Sequence, residues 1–279
     1  MTKSRKAFIK KLLFVTVMSL IGIIYMYPVF LMFLNSVKPF KEVVVDVIAI
    51  PTKIAWENYS YVLDKMQYER LFLNNVLITV IGIVGIVVFS SIAAYILDRR
   101  RTKYTRLAKL LIITPMLIPF QTIMITLLKV MNVINLNGSI VGLGIQYWGF
   151  GIPMATFIFC NFMQTIPNEI DESAKIDGAS TLKTFIYVIF PLLKSVTATV
   201  IILDVMWIWN DFLLPLLMVN SSLKTKTLVL AAYTFVGQFN TQWHYAMTAM
   251  VLAVVPSIIF FIFLQKYIVD GVVAGAVKG

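Results

Sequence analysis

Long apolar segments, separated by short runs of charged and turn-forming residues, make up most of this chain. Six of them are long enough, at about 20 residues, to cross the hydrocarbon core of a bilayer as helices. They lie at Leu12 to about Leu34, Leu71–Leu97, Leu110–Leu128, about Val141–Met163, about Ser195–Val219 and about Ala246–Leu264. The pattern predicts an all-α polytopic membrane protein with six transmembrane helices.

Prolines and turn-forming residues predict where some of these segments bend or begin. Pro115 and Pro119 lie inside the third segment, and because proline removes a helix hydrogen bond, a kink or break is expected there. Turn-forming residues from Asn132 to Gly138 precede the fourth segment. The first segment follows a basic tail, as a signal peptide does, but continues uncharged to Val37 without a small-residue cleavage pattern, so we expect an uncleaved span.

Composition agrees with a membrane protein and excludes several kinds of site. Of the 279 residues, 59% are hydrophobic and 13% are charged, whereas about 25% charged is usual in soluble domains. One cysteine, Cys160, excludes an internal disulfide, and one histidine, His244, leaves no Cys/His cluster for a metal. No Gly-x-x-x-x-Gly-Lys-Ser/Thr phosphate loop is present. We therefore expect a chain that is not an enzyme and binds no cofactor itself.

The distribution of basic residues predicts the side that each loop faces. The net charge is +11, and basic residues in a membrane protein serve as topology signals, so no nucleic-acid partner is inferred. With a cytoplasmic amino terminus, sixteen of the 24 Lys and Arg residues lie in cytoplasmic segments. Both termini are therefore expected in the cytoplasm. The chain is then one transmembrane domain (1–279) with a cytoplasmic tail (1–11), an extracellular segment (38–70), a cytoplasmic loop (166–194) and a cytoplasmic C-terminal tail (265–279).

The extracellular segment 38–70 is longer than a simple turn. Its prolines and aromatic residues suggest an extended entry followed by a short helix that docks an external partner. The alternative is a helix that lies at the membrane interface, with Trp56 and Tyr59 as anchors.

The loop at 166–194 has the pattern of a helical hairpin. Acidic residues after Pro167 suit the positive end of a helix dipole, and Gly178 is a natural stop. Ile170, Ala174 and Ile176 are expected to supply a small apolar surface. A second helical stretch is predicted from Ser180 to Pro191. The hairpin is either a lever for a cytoplasmic partner or a solvated connector between spans.

The loop residues resemble a known motif. Glu172-Ser173-Ala174, with Gly178 six positions after Glu172 and Pro191 thirteen positions after the glycine, is similar to the Glu-Ala-Ala loop of binding-protein-dependent ABC importer permeases. Ser173 departs from the motif, since an alanine usually stands there. In that family, the loop forms the coupling helix, which sits in a cleft of the ATPase subunit.

Further segments resemble the carbohydrate branch of these permeases, specifically the smaller permease subunit of maltose-type and oligosaccharide importers. They are Asn35-Ser36-Val37-Lys38-Pro39, Trp56-Glu57-Asn58-Tyr59, Phe72-Leu73-Asn74-Asn75, Ala93-Ala94-Tyr95, Trp209-Asn210-Asp211-Phe212 and the end Gly271–Gly279.

The resemblance implies the type I ABC importer permease fold, with six transmembrane helices and a cytoplasmic coupling-helix hairpin. Such a chain forms half of the pathway for an oligosaccharide that an extracellular solute-binding protein delivers. It pairs with a second, different permease in a prokaryotic plasma membrane. Two ATPase subunits hold the ATP and Mg and drive alternating access, so ATP hydrolysis belongs to those partners.

The same resemblance assigns coupling residues by position. Glu172 is expected to make the main ATPase contact and Asp177 a second one, while Ala174 and Gly178 allow close packing in the cleft. Stabilisation of its own helix dipole is the alternative role of Glu172, worth about 0.3–1 kcal/mol. The tail is similar to the segment that reaches between the ATPases in maltose-type importers; a frayed terminus is the alternative. The predicted sets are Glu172, Ser173, Ala174, Asp177, Gly178 and Ala179 in the loop, and Gly275, Lys278 and Gly279 in the tail.

Polar residues inside the fifth segment are candidates for the transport pathway. On a helix, Asp204, Trp207 and Asp211 fall at i, i+3 and i+7 and share one face, with Asn210 close by. Carboxylates beside an indole suit sugar rings and hydroxyls, and hydrogen bonding between helices is the alternative, favoured for Asp204. Asn75 and Gln121 are weaker candidates.

Two other classes of protein fit the sequence less well. An ion-coupled secondary transporter or channel would show internal repeats and polar groups at the midplane, and no convincing repeat is visible, although the Pro115 and Pro119 pair fits a broken helix. A membrane-embedded enzyme would need a catalytic or metal-binding cluster, and the sequence has none with a suitable spacing.

Overall fold

A computed structural model describes residues 3–237 and 241–276, with side chains at 8–237 and 241–265, and these ranges contain helices and no strand. The all-α class is confirmed. The helices are α1 (Lys3–Ser36), α2 (Phe40–Val45), α3 (Glu57–Met66), α4 (Tyr68–Arg99), α5 (Lys103–Ile113), α6 (Phe120–Val133), α7 (Ile140–Met163), α8 (Glu169–Ile176), α9 (Thr181–Thr184), α10 (Phe190–Leu192), α11 (Lys194–Asn210), α12 (Leu213–Met218), α13 (Leu228–Ala232) and α14 (Trp243–Ala276).

Four helices are long and apolar enough to span a membrane, and two bent helix pairs raise the number to six. The single helices span Phe8–Ser36, Tyr68–Arg99, Ile140–Met163 and Trp243–Gln265. The pairs are Lys103–Leu117 with Phe120–Val133 and Thr181–Leu192 with Lys194–Asn210, bent by 104° and 76°. The six predicted segments correspond to these six units when each bent pair is one span.

The predicted break in the third segment lies at Pro119. Ile118, the residue before it, is extended at φ −92° and ψ 116°, because the proline ring disfavours the helical region for its predecessor. A 3₁₀ turn at Thr114–Leu117 precedes the break, and α6 begins directly after Pro119. The helical structure of this span also starts earlier than predicted, at Lys103.

The fifth segment is shorter than predicted, which changes the placement of its polar residues. The helix α11 ends at Asn210, and Asp211 is extended at φ −69° and ψ 137°. Pro215 supplies the reason, because it has no N–H for the carbonyl of Asp211 and its ring would clash with that carbonyl in a continuous helix. The proline is instead accommodated in the first turn of α12.

The chain divides into two compact units, and the first comprises Met1–Tyr68 and Ala231–Ala253. Within it, the segment after α1 includes a short helix, α2, where an extended entry was predicted, because Pro39 starts a turn by accepting the amides of Glu42 and Val43. Asn58 donates from Nδ2 to the carbonyl oxygens of Ser36 (3.0 Å) and Lys38 (2.9 Å). Two of the sequence segments that resembled importer permeases thus fold against each other.

Lys38 is fully buried and holds the segment after α2 in place. Its Nζ donates to the carbonyl oxygens of Asp46 (3.0 Å) and Val47 (3.1 Å). The Asp46 carboxylate accepts the amides of Ile48 and Ala49, and these bonds lower the pKa of Asp46 below its ordinary value. Because a buried cation needs hydrogen-bonding partners, the two carbonyls fix the path of the chain here.

The second unit comprises Glu69–Leu230 and Val254–Gly279, and its core forms where α4, α7 and α11 pack together. The helices α4 and α7 approach closely at glycines. A Cβ on Gly85 would lie 2.1 Å from the indole of Trp148, and that indole donates from Nε1 to the carbonyl of Ile81 over 2.8 Å. Trp148 therefore satisfies a backbone carbonyl of α4 where the two helices meet.

Candidate functional site

The loop between α7 and α11 forms the predicted hairpin, and α8 is its first arm. Gly178 ends α8 with φ +81°, a left-handed conformation that glycine adopts without strain. The amide of Gly178 donates to the carbonyl of Lys175 (3.0 Å), and that of Ala179 donates to the carbonyl of Ala174 (2.9 Å). This pair of bonds is a Schellman motif, so the predicted stop at Gly178 is confirmed.

A buried carboxylate fastens α8 to the end of α4. Asp171 is 4% exposed, and its Oδ1 accepts a hydrogen bond from the Tyr95 hydroxyl over 2.6 Å. Its Oδ2 accepts from Nε of Arg99 over 2.9 Å. Sequence reasoning counted Asp171 only as a charge at a helix start; the signal that it missed was Tyr95 and Arg99, one turn apart at the end of a span.

Arg99 connects three parts of this end of the structure. Besides Asp171, it donates from one terminal nitrogen to Asp98 over 2.8 Å and from the other to the carbonyl of Ile166 over 3.1 Å. Asp98 and Asp171 are both buried, and one guanidinium is shared between their two carboxylates. Removal of Arg99 from this group is expected to cost about 3–5 kcal/mol, because the buried carboxylates lose the guanidinium that they share.

The exposed face of α8 carries most of the predicted coupling residues. Glu172, Ser173, Asp177 and Gly178 are exposed, and Ala179 is half-buried. Ala174 is 9% exposed and lies one turn after Asp171, on the face of α8 that packs against this chain. That it allows close packing in the cleft of the ATPase stays a prediction.

The three residues predicted to form one apolar surface on the loop do not lie on the same face. Ile176 is 86% exposed, whereas Ala174 is buried and Ile170 is half-buried. Ile176 comes two residues after Ala174, and residues two apart on a helix do not share a face. The exposed face of α8 therefore combines acidic groups with one isolated large apolar side chain.

A cavity of about 360 Å³ lies between α8 and the end of α4. Glu172 lines it together with the basic side chains of Arg99, Arg100 and Lys175. Glu172 is thus an exposed carboxylate beside several cations.

The second arm of the hairpin is helical from Thr181 to Leu192, as predicted. Ser180 caps α9 by accepting the amide of Lys183, and a π-helical turn at Phe185–Ile189 follows. Phe185 is buried and packs on the Tyr95 ring at 5.2 Å. Tyr95 therefore contacts both arms of the hairpin.

A second polar group lies where α11 ends. The Tyr147 hydroxyl, on α7, donates to Oδ2 of Asp211 over 2.9 Å, and the Tyr147 ring meets Trp207 edge to face at 5.3 Å. The other carboxylate oxygen of Asp211 accepts the amide of Leu213 and so begins α12. Trp207 is 40% exposed, which leaves an indole and a carboxylate at an accessible position.

The prediction that Asp204, Trp207 and Asp211 share one helix face is wrong for Asp211. Asp211 lies beyond the last helical residue and reaches the group through Tyr147, which sequence reasoning did not single out although it is a polar residue inside a span. Asp204 is 9% exposed on α11. Asn210 ends the helix, and its Oδ1 accepts a hydrogen bond from Ser257 over 3.3 Å.

The remaining pathway candidates are placed elsewhere. Asn75 is buried and is used by the backbone: its Oδ1 accepts the amide of Leu228 (2.8 Å), and its Nδ2 donates to the carbonyl of Trp209 (3.3 Å). Gln121 is exposed in the first turn of α6.

The predicted ATPase-contacting tail is only partly visible. Gly275 lies in α14, which continues to Ala276. Lys278 and Gly279 lie outside the described residues.

Comparison with known proteins extends these observations. Residues 86–273 match the family described as binding-protein-dependent transport system inner membrane component. The chain is 34% identical over 275 residues to the "Probable starch degradation products transport system permease protein AmyC" of Thermoanaerobacterium thermosulfurigenes, covering 98% of this chain and 99% of that protein.

Two further relatives and one solved structure are similar over most of the chain. The multiple sugar-binding transport system permease protein MsmG of Streptococcus mutans is 32% identical over 92% of this chain and 93% of its own length. The melibiose/raffinose/stachyose import permease protein MelC of Bacillus subtilis is 34% identical, with 82% and 83% covered. The crystal structure of a bacterial ABC transporter that imports alginate contains a chain with TM-score 0.80 and 22% identity, over 96% of this chain and 98% of that one. This last likeness supports the fold.

Proposed function

This chain belongs to the family of binding-protein-dependent transport system inner membrane components, as a multi-pass membrane permease of an ABC importer, and we propose that its cargo is a carbohydrate. The observation that carries the proposal is the similarity, over 82–98% of this chain, to permeases whose names specify starch degradation products, multiple sugars and melibiose, raffinose and stachyose. The family match also favours a binding-protein-dependent system over the ion-coupled transporter that the sequence left open.

The proposed assembly follows from the family. The chain pairs with a second permease, which differs from it, and two ATPase subunits bind the side that carries α8. A solute-binding protein delivers the sugar on the extracellular side, to which the distribution of basic residues assigns the segment at 38–70. Both termini of the chain face the cytoplasm, in agreement with the excess of basic residues there. ATP and Mg are held by the ATPases.

The hairpin is proposed as the coupling element. The exposed residues Glu172 and Asp177 contact the ATPase, while Asp171, on the opposite face, holds α8 on α4. Movement of the ATPase surface is then transmitted through Asp171 to a span of 32 residues, because the joint is hydrogen-bonded at both carboxylate oxygens. The tail from Gly275 onward is proposed as a second ATPase contact.

The group at the end of α11 is proposed to contact sugar in the pathway. Trp207 offers an aromatic face, and the carboxylate of Asp211 and the amide of Asn210 offer polar groups for hydroxyls. Tyr147 fixes the carboxylate in place. Asp204 is assigned to hydrogen bonding within the membrane assembly. The side chain of Asn75 hydrogen-bonds two backbone groups and is not assigned to the pathway. Gln121 is a secondary pathway candidate.

The proposal is tested by transport in vesicles that contain both permeases, the ATPase and the binding protein. Uptake of maltotriose and raffinose is compared for the wild type, Glu172→Lys and a charge-reversed control at the exposed Lys129, Lys129→Glu, which lies outside the hairpin and outside the segment at 38–70. We expect ATP-dependent sugar uptake that is lost in Glu172→Lys, with ATP hydrolysis uncoupled or the ATPase detached, and retained in the control.

Two results would contradict different parts of the proposal. Normal uptake by Glu172→Lys, with insertion verified, would remove the coupling role of that residue. Uptake of neither sugar by the wild-type complex, with ATPase stimulated instead by another class of solute, would remove the carbohydrate assignment.

A further inference from the structure

A concave basic site lies beside the hairpin, and neither the coupling role nor the pathway uses it. It is a pocket of about 290 Å³ where the end of α4, the first half of α5 and the end of α7 meet, and we name it the α4–α5 pocket. Among its lining residues are Leu97, Asp98, Arg101, Arg106, Lys109 and Cys160.

The α4–α5 pocket has an excess of positive charge. Its one carboxylate, Asp98, is buried and already bonded to Arg99 over 2.8 Å, and it lies 3.6 Å from Arg101. Arg106 and Lys109 form no ion pair with any acidic residue among the described side chains. Two cations without an acidic partner therefore face a space large enough for a phosphate group.

The pocket is also preformed, because hydrogen bonds fix the start of α5. Thr102 and Thr105 bond reciprocally at the start of α5 as a capping box, and the Thr105 hydroxyl also donates to the carbonyl of Arg100. If the basic residues of this loop served only to set the membrane topology, their charge would be enough and no pocket would be needed. Because Arg106 and Lys109 lie three residues apart on one helix face, α5 presents both to the same ligand.

The surroundings of the pocket indicate a lipid. Leu107, Leu110 and Leu111 on α5 are 56%, 61% and 65% exposed, beside the two cations. A ligand with a phosphate group and adjoining hydrocarbon would satisfy both features, whereas inorganic phosphate would use only the cations. Basic pockets at the cytoplasmic ends of spans suit anionic head groups.

We propose that the α4–α5 pocket binds the phosphate head group of an anionic phospholipid, whose acyl chains lie over the exposed leucines of α5. Lys103 provides a matched control, since it is a lysine on the same helix but does not line the pocket; it lies over its neighbour Tyr104 at 5.2 Å. Loss of its charge changes the topology signal as much as loss of Lys109 does.

The test uses the full-length chain, purified with the subunits it retains, in nanodiscs of phosphatidylcholine with increasing phosphatidylglycerol. Bound anionic lipid is counted by native mass spectrometry after transfer to detergent. We expect Arg106→Gln and Lys109→Gln each to lower the apparent lipid affinity roughly five-fold, the factor that corresponds to about 1 kcal/mol per basic residue. Lys103→Gln should match the wild type, and Arg106→Lys should largely restore binding.

Each other outcome overturns the proposal. Equal loss in Lys103→Gln would show a diffuse charge effect. Unchanged lipid retention in Arg106→Gln and Lys109→Gln would show that the pocket holds no head group. Tight binding of inorganic phosphate or ADP by the detergent-solubilised protein, lost in the same two variants and unaffected by lipid, would assign the pocket to a soluble anion.

Discussion

Asp171 and Arg99 are 72 positions apart in the chain, yet Nε of Arg99 donates to Oδ2 of Asp171 over 2.9 Å, with both side chains almost fully buried. This bond joins the helix proposed to meet the ATPase to a transmembrane helix.

Replacement of Asp171 should be far more damaging than replacement of its neighbour. Asp171→Ala removes the acceptor of the Tyr95 hydroxyl and of Nε of Arg99, although Asp98 still pairs with Arg99, so the free energy of unfolding is expected to fall by about 1–3 kcal/mol for each donor left unsatisfied. Glu172→Ala, an exposed change, should shift it by less than about 0.5 kcal/mol. Thermal unfolding of the purified complex measures both. Equal stability of the two variants would mean that the joint does not hold α8.

A side chain at Gly178 should strain the backbone without a clash. The residue has φ +81°, and a Cβ there would meet no atom within 4 Å, so Gly178→Ala is expected to cost about 1–2 kcal/mol from conformation alone. Gly149 in α7 is the control, since a Cβ there also meets no atom within 4 Å and its backbone is helical. Gly149→Ala should be neutral or stabilising in the same unfolding measurement; a loss as large as that of Gly178→Ala would refute the role of the positive φ.

Loss of the Tyr147 hydroxyl should release Asp211. Tyr147→Phe keeps the ring against Trp207 but leaves a carboxylate oxygen without its donor, at an expected cost of about 1–3 kcal/mol. If the group contacts sugar, KM for uptake should rise as well. A double-mutant cycle with Asp211→Asn separates the two effects, with an expected coupling of about 0.5–3 kcal/mol. Additive effects of the two changes would show that the hydroxyl does not act through Asp211.

The segment after α2 should resist acid until its carboxylates are protonated. Glu42 accepts hydrogen bonds from the hydroxyl and the amide of Thr52, which lower its pKa below 4.5, and the amides of Ile48 and Ala49 lower the pKa of Asp46 below 3.8. A carboxylate with a lowered pKa stabilises the fold above its ordinary pKa and loses that contribution as the pH falls through the lowered one.

The amides of Ile48, Ala49 and Thr52 donate to these carboxylates, so their protection factors, which correct for the pH dependence of intrinsic exchange, should fall below about pH 4, where the ordinary carboxylate pKa values lie. In the double variant Glu42→Gln with Asp46→Asn, the loss of protection should already be present at pH 7. If the wild-type segment opens near pH 6 instead, other groups control it.

The sequence predicted those features that depend on local chemistry. Pro119 broke the third span and Gly178 ended α8, because each acts through its own backbone. Features that depend on distant partners were missed. The burial of Asp171 depends on Arg99 and Tyr95, and the place of Asp211 depends on Pro215, which shortened a helix that hydropathy alone extended to Val219.

Arg99 has a consequence for how this protein can change over generations. Because its guanidinium serves Asp98, Asp171 and the carbonyl of Ile166 at once, no single replacement of the arginine leaves the other groups satisfied. A neutral route away from it requires both acids to be exchanged first, and the second of those steps leaves the arginine without a carboxylate partner. Homologues should therefore keep the three side chains together or replace them as a set, and that covariation can be counted.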